Sequence, residues 1–243
     1  MKVYVVGSGC TWFERKNSSY ILDDNMLLDM PEESYKKIIG LIDIFKLKTV
    51  FITHFHTDHF FGMHILITRI MREWKERKMK HRLKVYGPKG TLERLVMINK
   101  VVFGGDDECD PKALSEHIDF IDVQDGDEFE ENGYKVKVFA LDHGKVYSQG
   151  YIFEDKNGKV VAFTGDTKDC KRLHEMLDES NVAFVDMALV KPGNSHLDAK
   201  SFQKLEKEYP NCKMIAVHTS DESLEYAKKH GISATNDDDE YIF

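Results

Sequence analysis

The sequence predicts an α/β fold, a four-layer αββα sandwich built as one domain over residues 1–243. Three observations carry that prediction. Short β-branched or aromatic runs alternate with stretches of helical spacing along the whole chain. Each half mixes strands and helices, which implies two similar βα layers packed face to face. A dense polar cluster, Thr53-His54-Phe55-His56-Thr57-Asp58-His59, sits where a strand gives way to a helix.

Taken in order, Lys2 to Val6 reads as a strand stopped by Gly7-Ser8-Gly9. Tyr20-Ile21-Leu22 and Met26-Leu27-Leu28-Asp29 flank the turn Asp23-Asp24-Asn25. Pro31-Glu32-Glu33 opens a helix, with proline and acids in the first turn where they suit the exposed N–H groups and the dipole. Thr49 to Ile52 is a buried strand, and Phe60 to about Lys80 reads as one helix. Its face of Phe60, Met63, Ile67, Ile70, Met71 and Trp74 is read as core, with a homodimer contact as the sharper alternative. Leu83 to Tyr86 is a strand, Thr91 to about Val101 a helix, and Gly104 to Pro111 (Asp106, Asp107, Glu108, Asp110) an acidic exposed loop. Hairpins follow around Asn132-Gly133 and Lys156-Asn157-Gly158. Helix 168–178, strand 182–185, helix 198–209, strand 213–217 and helix 221–230 complete the chain.

The balance of 34 Lys+Arg against 42 Asp+Glu gives a net charge of −8, which removes any bulk electrostatic argument for nucleic-acid binding. The local basic run from Arg69 through Lys84 (Arg72, Lys75, Arg77, Lys78, Lys80, Arg82) reads as the solvated face of a helix. Cys10, Cys109, Cys170 and Cys212 have neither zinc-finger nor disulfide spacing. Met1 to Gly7 lacks a signal-peptide layout and no apolar run is long enough to span a bilayer. A cytoplasmic protein with reduced thiols and no membrane contact is the expectation.

The cluster from His54 to His59 holds three imidazoles and one carboxylate. On a helix, residues two apart do not share a face, so His54 and His56 would diverge; a strand end or loop can aim both at one point. Imidazole and carboxylate are the usual ligands of zinc and similar divalent ions. Three later residues share that context. His143 follows the strand-like Val138 to Leu141, Asp166 follows Val160 to Thr164, and His218 follows Met214 to Val217. Strand ends on one sheet edge are where α/β proteins place ligand sites.

These residues resemble the metallo-β-lactamase fold hydrolases, whose His-x-His-x-Asp-His signature is matched by His54, His56, Asp58 and His59. The later ligands of that family resemble His143, Asp166 in Thr164-Gly165-Asp166-Thr167, and His218 in Val217-His218-Thr219-Ser220, so the resemblance runs over essentially the whole chain. It implies two divalent metal ions: His54, His56 and His143 at the first, Asp58, His59 and His218 at the second, with Asp166 bridging. The di-iron oxygen reductases of the superfamily carry glutamate at the place of His56, so the resemblance favours zinc, with manganese or iron as alternatives.

Within that superfamily the chain resembles the ribonuclease Z-like phosphodiesterase branch through Gly126-Asp127-Glu128, Leu141-Asp142-His143 and Ser148-x-Gly150-Tyr151. Asn194-Ser195-His196-Leu197-Asp198-Ala199 is similar to the segment whose histidine contacts the scissile phosphate, which implies a catalytic role for His196. A departure stands beside it: where ribonuclease Z has His-Glu-Ala-Thr, this chain has Asp186-Met187-Ala188-Leu189, without the supporting glutamate. The long tRNA-gripping arm of some members is also absent, since Gly126 to Val138 makes only a hairpin.

The implied reaction is hydrolysis of a phosphodiester, small, cyclic or an RNA end, by a hydroxide bridging two metals, with Asp58 orienting it and His196 assisting the leaving oxygen. Asp29 and Asp142 are expected to fix ligand imidazoles, and Trp12 and Phe13 to wall the pocket. Thioesterase or lactonase chemistry on the same metals is the alternative, and a metal-bound sensor without turnover a third. His64, His81, His117, His174 and His230 are read as ordinary packing or surface residues without partners.

Overall fold

The computed structural model describes residues 1–74, 76, 79, 81–104 and 110–243. Strands β1 (Lys2–Gly7), β2 (Ser19–Leu22), β3 (Met26–Leu28), β4 (Thr49–Phe51), β5 (Leu83–Gly87) and β6 (Ile118–Asp122) come from the first half. Helices α1 (Tyr35–Leu41), α2 (Thr57–Phe60), α3 (Met63–Glu73), α4 (Thr91–Phe103) and α5 (Pro111–His117) lie among them. The second half supplies β7 (Glu128–Glu131), β8 (Tyr134–His143), β9 (Val146–Glu154), β10 (Val160–Phe163), α6 (Lys171–Asp178), β11 (Val182–Asp186), α7 (Ala199–Glu208), β12 (Lys213–Val217), α8 (Asp221–His230) and β13 (Glu240–Ile242).

One sheet runs β13-β1-β2-β3-β4-β5-β6 and the other β12-β11-β10-β9-β8-β7. Alternate side chains point to opposite faces of a strand, and this assigns the layers. Phe51 and Leu28 join Tyr151, Phe153, Phe163 and Phe184 in the core between the sheets. Val50, Ile52 and Val85 instead meet Met63, Leu66, Ile67 and Leu95 of α3 and α4. Ala162, Ala183 and Ala216 on the other sheet meet Leu173, Phe202 and Ala227 of α6, α7 and α8. The arrangement is the four-layer αββα sandwich. Strands β3 to β6 are parallel, as are β10 to β12, so the chain enters a loop at the same edge after each.

The helix expected from Phe60 to about Lys80 is interrupted. Gly62 lies so close to the Pro31 carbonyl that a Cβ there would stand 2.5 Å from its oxygen. Met30 N–H donates to the His59 carbonyl at 2.7 Å, and Gly62 N–H donates to that of Met30 at 2.8 Å. These bonds stop α2, and α3 begins afresh and ends at Glu73. Lys75, Arg77, Lys78 and Lys80 of the basic run, and Gly105 to Cys109 of the acidic loop with its cysteine, lie outside the described residues. Asp110 caps α5, accepting from Lys112 N–H at 2.8 Å; α5, β6 and β13 add to the elements that the sequence pattern marks. Cys10, Cys170 and Cys212 are free thiols. Among the described residues no helix is long and apolar enough to cross a membrane.

Candidate active site

The strand edge gathers the polar residues singled out in the sequence. Asp29 follows β3, His54 to His59 follow β4, His143 ends β8, Asp166 follows β10 and His218 follows β12. Asp166 is completely buried at the centre. Its Oδ2 lies 3.5 Å from His54 Nε2 and 3.6 Å from His143 Nε2. Its Oδ1 lies 3.2 Å from His59 Nε2 and 3.5 Å from His218 Nε2. His56 Nδ1 is 3.2 Å from His143 Nε2, and Asp58 Oδ2 is 3.3 Å from His218 Nε2. The donor atoms of His54, His56, His143 and Asp166 fall within 4.8 Å of one another, as do those of Asp58, His59 and His218.

Hydrogen-bond partners assign the tautomers. Thr53 Oγ1 gives its one proton to Asp29 at 2.7 Å, so at 3.0 Å it accepts from His54 Nδ1–H. His59 Nδ1–H donates to Asp29 at 2.7 Å, and His143 Nδ1–H to the Ser195 carbonyl at 2.8 Å. Each of these rings therefore turns its Nε2 inward, the atom that binds a metal once it carries no proton. Among the described residues, the buried Nε2 atoms of His54 and His59, and Oδ1 of Asp166, have no hydrogen-bond partner. Buried polar atoms without partners cost about 1–3 kcal/mol each, and divalent cations bound among them would satisfy all three. The donor set fits two such ions.

The charge balance points the same way. Burial holds His54 well below its ordinary value and so neutral. Burial opposes protonation of His218 too, but Asp166, Asp186 and Asp58 raise it to about 10. His59 is likewise held high by Asp166 and Asp29 against complete burial. Burial works against the charged form of Asp166, yet the surrounding imidazoles keep it well below the usual carboxylate range. The carboxylates of this centre thus draw positive charge to it.

Backbone shape aims these groups. Asp29 and His218 adopt positive φ of 57° and 52°, a conformation uncommon for side-chain-bearing residues and concentrated at functional positions. Gly165, with φ 63°, lets the Asp166 turn press onto Thr53: a Cβ at Gly165 would stand 2.8 Å from Thr53 Cβ.

His196 joins the cluster. Its ring is stacked on His218 at 5.2 Å, and its Nδ1 lies 2.8 Å from Asp186 Oδ2. The stretch Asp186-Met187-Ala188-Leu189 carries no glutamate, and the carboxylate that meets His196 is that of Asp186, which ends β11. Asp186 is fully buried, accepts from Thr167 and Ala188 N–H at 2.9 Å, and also approaches His218 Nδ1 at 3.7 Å. Burial disfavours the charged form of His196, but Asp186 outweighs it and raises His196 above its ordinary value. Asp186 shares the strand-end context of Asp166, the one signal by which sequence could have found it.

Asp29 behaves as expected, but Asp142 does not. Its side chain is 44% exposed and pairs with Lys168 at 3.2 Å, while the Ser195 carbonyl takes the place expected for it on His143. Trp12 and Phe13 line a cavity of about 680 Å³ over the cluster, with Phe55, Leu189, Val190 and His196; Trp12 is 88% exposed. The five remaining histidines lie outside the cluster but do have partners. His64 bonds the Phe61 carbonyl and His81 that of Leu47. His117 packs on Trp74, His174 bonds Tyr209 and Asp169, and His230 bonds the Tyr226 carbonyl.

A family model described as Anti-Pycsar protein Apyc1 matches residues 1–238. The chain belongs to that family. This Apyc1-family chain is also 32% identical to the ribonuclease Z of Pyrococcus horikoshii over 134 residues, 54% of the chain and 39% of the relative. It therefore spans about two-fifths of the length of such curated relatives. Its backbone is similar to the metallo-β-lactamase fold protein YhfI of Bacillus subtilis, with TM-score 0.80, 16% identity, and coverage of 99% and 98% of the two chains. The short form of human tRNase Z gives TM-score 0.74 at 17% identity, covering 100% and 99%. The fold of this Apyc1-family member is the metallo-β-lactamase fold, and its sequence is ribonuclease Z-like.

Proposed function

We propose that this protein is a metal-dependent phosphodiesterase acting on a nucleotide phosphodiester, with residues 1–243 as one domain. The observation that carries the reading is the two-sided environment of Asp166, one oxygen facing His54 and His143 and the other His59 and His218. His54, His56 and His143 would hold one divalent ion, and Asp58, His59 and His218 the other, with Asp166 between them. Zinc suits this imidazole-rich set. Two such ions supply Lewis acidity to phosphate oxygens and lower the pKa of bound water.

Hydrolysis consumes one water. Its oxygen bonds to phosphorus, the P–O ester bond on the opposite side breaks, and the departing oxygen takes a proton. Asp58, on the cavity wall, orients the entering water. His196 is placed to protonate the departing oxygen: Asp186 occupies its Nδ1, and Nε2 has no partner among the described residues. Trp12, Phe13 and Phe55 offer apolar faces to a nucleobase. The ribonuclease Z likeness supports phosphodiester chemistry over other esters.

The test is hydrolysis of bis(p-nitrophenyl) phosphate by zinc- or manganese-loaded protein, with Asp58→Ala as control. Turnover abolished by that substitution supports the reading. Metal bound without diester turnover, but with cleavage of thioesters or lactones, replaces it with carboxylic-ester chemistry.

A further inference from the structure

Three of the cluster imidazoles are aimed by a hydrogen bond on the outer nitrogen: His54 by Thr53, His59 by Asp29 and His143 by the Ser195 carbonyl. His218 is not. Its Nδ1 has no hydrogen-bond partner among the described residues, and the Asp186 carboxylate stands 3.7 Å away. Stacking on His196 limits the tilt of the ring, but the direction in which it leaves the chain is set by the backbone, which holds φ 52° at His218. A side-chain-bearing residue keeps such a conformation only where its surroundings over-determine it.

The surroundings that do so converge on Arg15. Thr219, the next residue, is completely buried, and Arg15 Nη2 donates to both its carbonyl and its Oγ1. Arg15 Nη1 donates to Oγ of fully buried Ser8 at 3.1 Å, while the Ser8 carbonyl accepts from Thr219 N–H at 3.0 Å. Ser8 Oγ–H in turn donates to Asp237 at 3.1 Å, whose other oxygen accepts from Lys16 N–H at 3.1 Å. Arg15 Nε stands 3.8 Å from Asp221 at the start of α8. One guanidinium thus ties the end of β1, the His218 turn and α8 together, which its planar fork of donors allows and a point-charge ammonium does not. Gly9 makes the room: a Cβ there would stand 2.9 Å from Arg15 Cβ.

We infer that Arg15 is a positioning residue for the second metal ion: through Thr219 it fixes the turn that aims His218 Nε2 at the site shared with Asp58 and His59. It touches neither ion nor substrate. Contacts that orient a ligand from behind change metal affinity about 10- to 100-fold. His54, His56 and His143 make no bond to Arg15 among the described residues, so the effect falls on one ion of the two. The inference rests on the two-ion reading of the cluster and is independent of the substrate.

The test is removal of cobalt(II) from the loaded protein by graded chelator, followed by elemental analysis and visible absorption. Wild type is expected to hold two ions. Arg15→Met keeps the length and removes the donors, and is expected to bind one ion about tenfold or more weaker with the other unchanged. The spectrum of its one-ion form should match that of His218→Ala and differ from that of His56→Ala, which identifies the ion lost. Arg15→Lys, with one cationic group restored, should recover part of the affinity. Arg82→Met is the control: that guanidinium bonds Asp119 and the Glu116 carbonyl ahead of β5, at the sheet end opposite the cluster, and both ions should stay. Equal loss of both ions in Arg15→Met assigns Arg15 to the fold alone, and wild-type affinity for both shows that the turn holds without it; either result overturns the inference. If Arg15→Met does not fold, Ser8→Ala removes one guanidinium acceptor and is judged by the same outcomes. A wild type that holds a single ion overturns the two-ion reading and the inference with it. Two ions with selective loss in Arg15→Met, but no diester hydrolysis by wild type, keep the inference and remove the phosphodiesterase reading.

Discussion

Asp186 Oδ2 lies 2.8 Å from His196 Nδ1, which fixes the ring while leaving Nε2 on the side of the reacting groups. Asp186 also raises the His196 pKa, and a proton donor works only while protonated. The wild-type rate should therefore persist above the ordinary histidine range before falling on the alkaline side. Asp186→Asn removes the charge that raises His196, so the alkaline limb of kcat moves to lower pH, with a loss on the order of 10- to 100-fold at neutral pH. A pH–rate profile of the variant checks this, and an alkaline limb that does not move removes His196 as the acid.

Asp29 holds the outer edge of His59, a proposed metal ligand. It accepts from Thr53 N–H at 2.8 Å, Thr53 Oγ1–H at 2.7 Å and His59 Nδ1–H at 2.7 Å. Asp29→Asn keeps the shape but weakens the set of His59, so affinity for the second ion should drop about 10- to 100-fold. Competition against a chromogenic chelator, with metal content read by elemental analysis, measures it. Two ions retained at wild-type affinity would count against the assignment.

Metal uptake should release protons. In the metal-free protein His218 is raised to about 10 and His59 is also held high, so both are protonated at neutral pH and must give up protons to bind. Affinity then rises with pH, and calorimetry in buffers of different ionisation enthalpy shows the release. The sign for stability follows from a folded pKa above the unfolded value of about 6.5. The contribution of His218 to the metal-free fold is fully present below about 6.5 and is lost as pH rises to about 10. The melting temperature of the metal-free protein should fall over that window, and the gain on adding zinc should grow. A gain that does not change with pH contradicts the scheme.

Gly165→Ala tests the seam between the halves. The new Cβ meets Thr53 at 2.8 Å in a positive-φ position, and strain of this kind costs about 1–3 kcal/mol. Denaturant unfolding should show a loss of that size together with weaker metal binding, because Asp166 is the next residue. A variant as stable as wild type would mean that the seam relaxes freely.

The contiguity of His54, His56, Asp58 and His59 made their half of the site legible in sequence, and the run-then-ligand pattern extended it to His143, Asp166 and His218. Asp186 carried the same pattern but was read only against an expected glutamate; its reach to His196 depends on the loop from Asn194 to Asp198 folding back over β11. Asp142 failed for another reason. The group that orients His143 is the Ser195 carbonyl, and a main-chain oxygen leaves no signature in a sequence. The single helix drawn from Phe60 onward had sound spacing, but spacing does not register the backbone contact that makes Gly62 a break.

Asp58 and His218 stand 3.3 Å apart but 160 residues apart along the chain. During synthesis the second ligand group cannot close until His218 has left the ribosome, long after His54, His56 and Asp58 have emerged. On the proposed ligand assignment, capture of the second ion follows docking of both halves. A nascent or clipped chain lacking the last strands keeps the conspicuous histidine cluster but not a complete cage for the second ion. On that assignment, metal stoichiometry would report whether the whole sandwich has assembled.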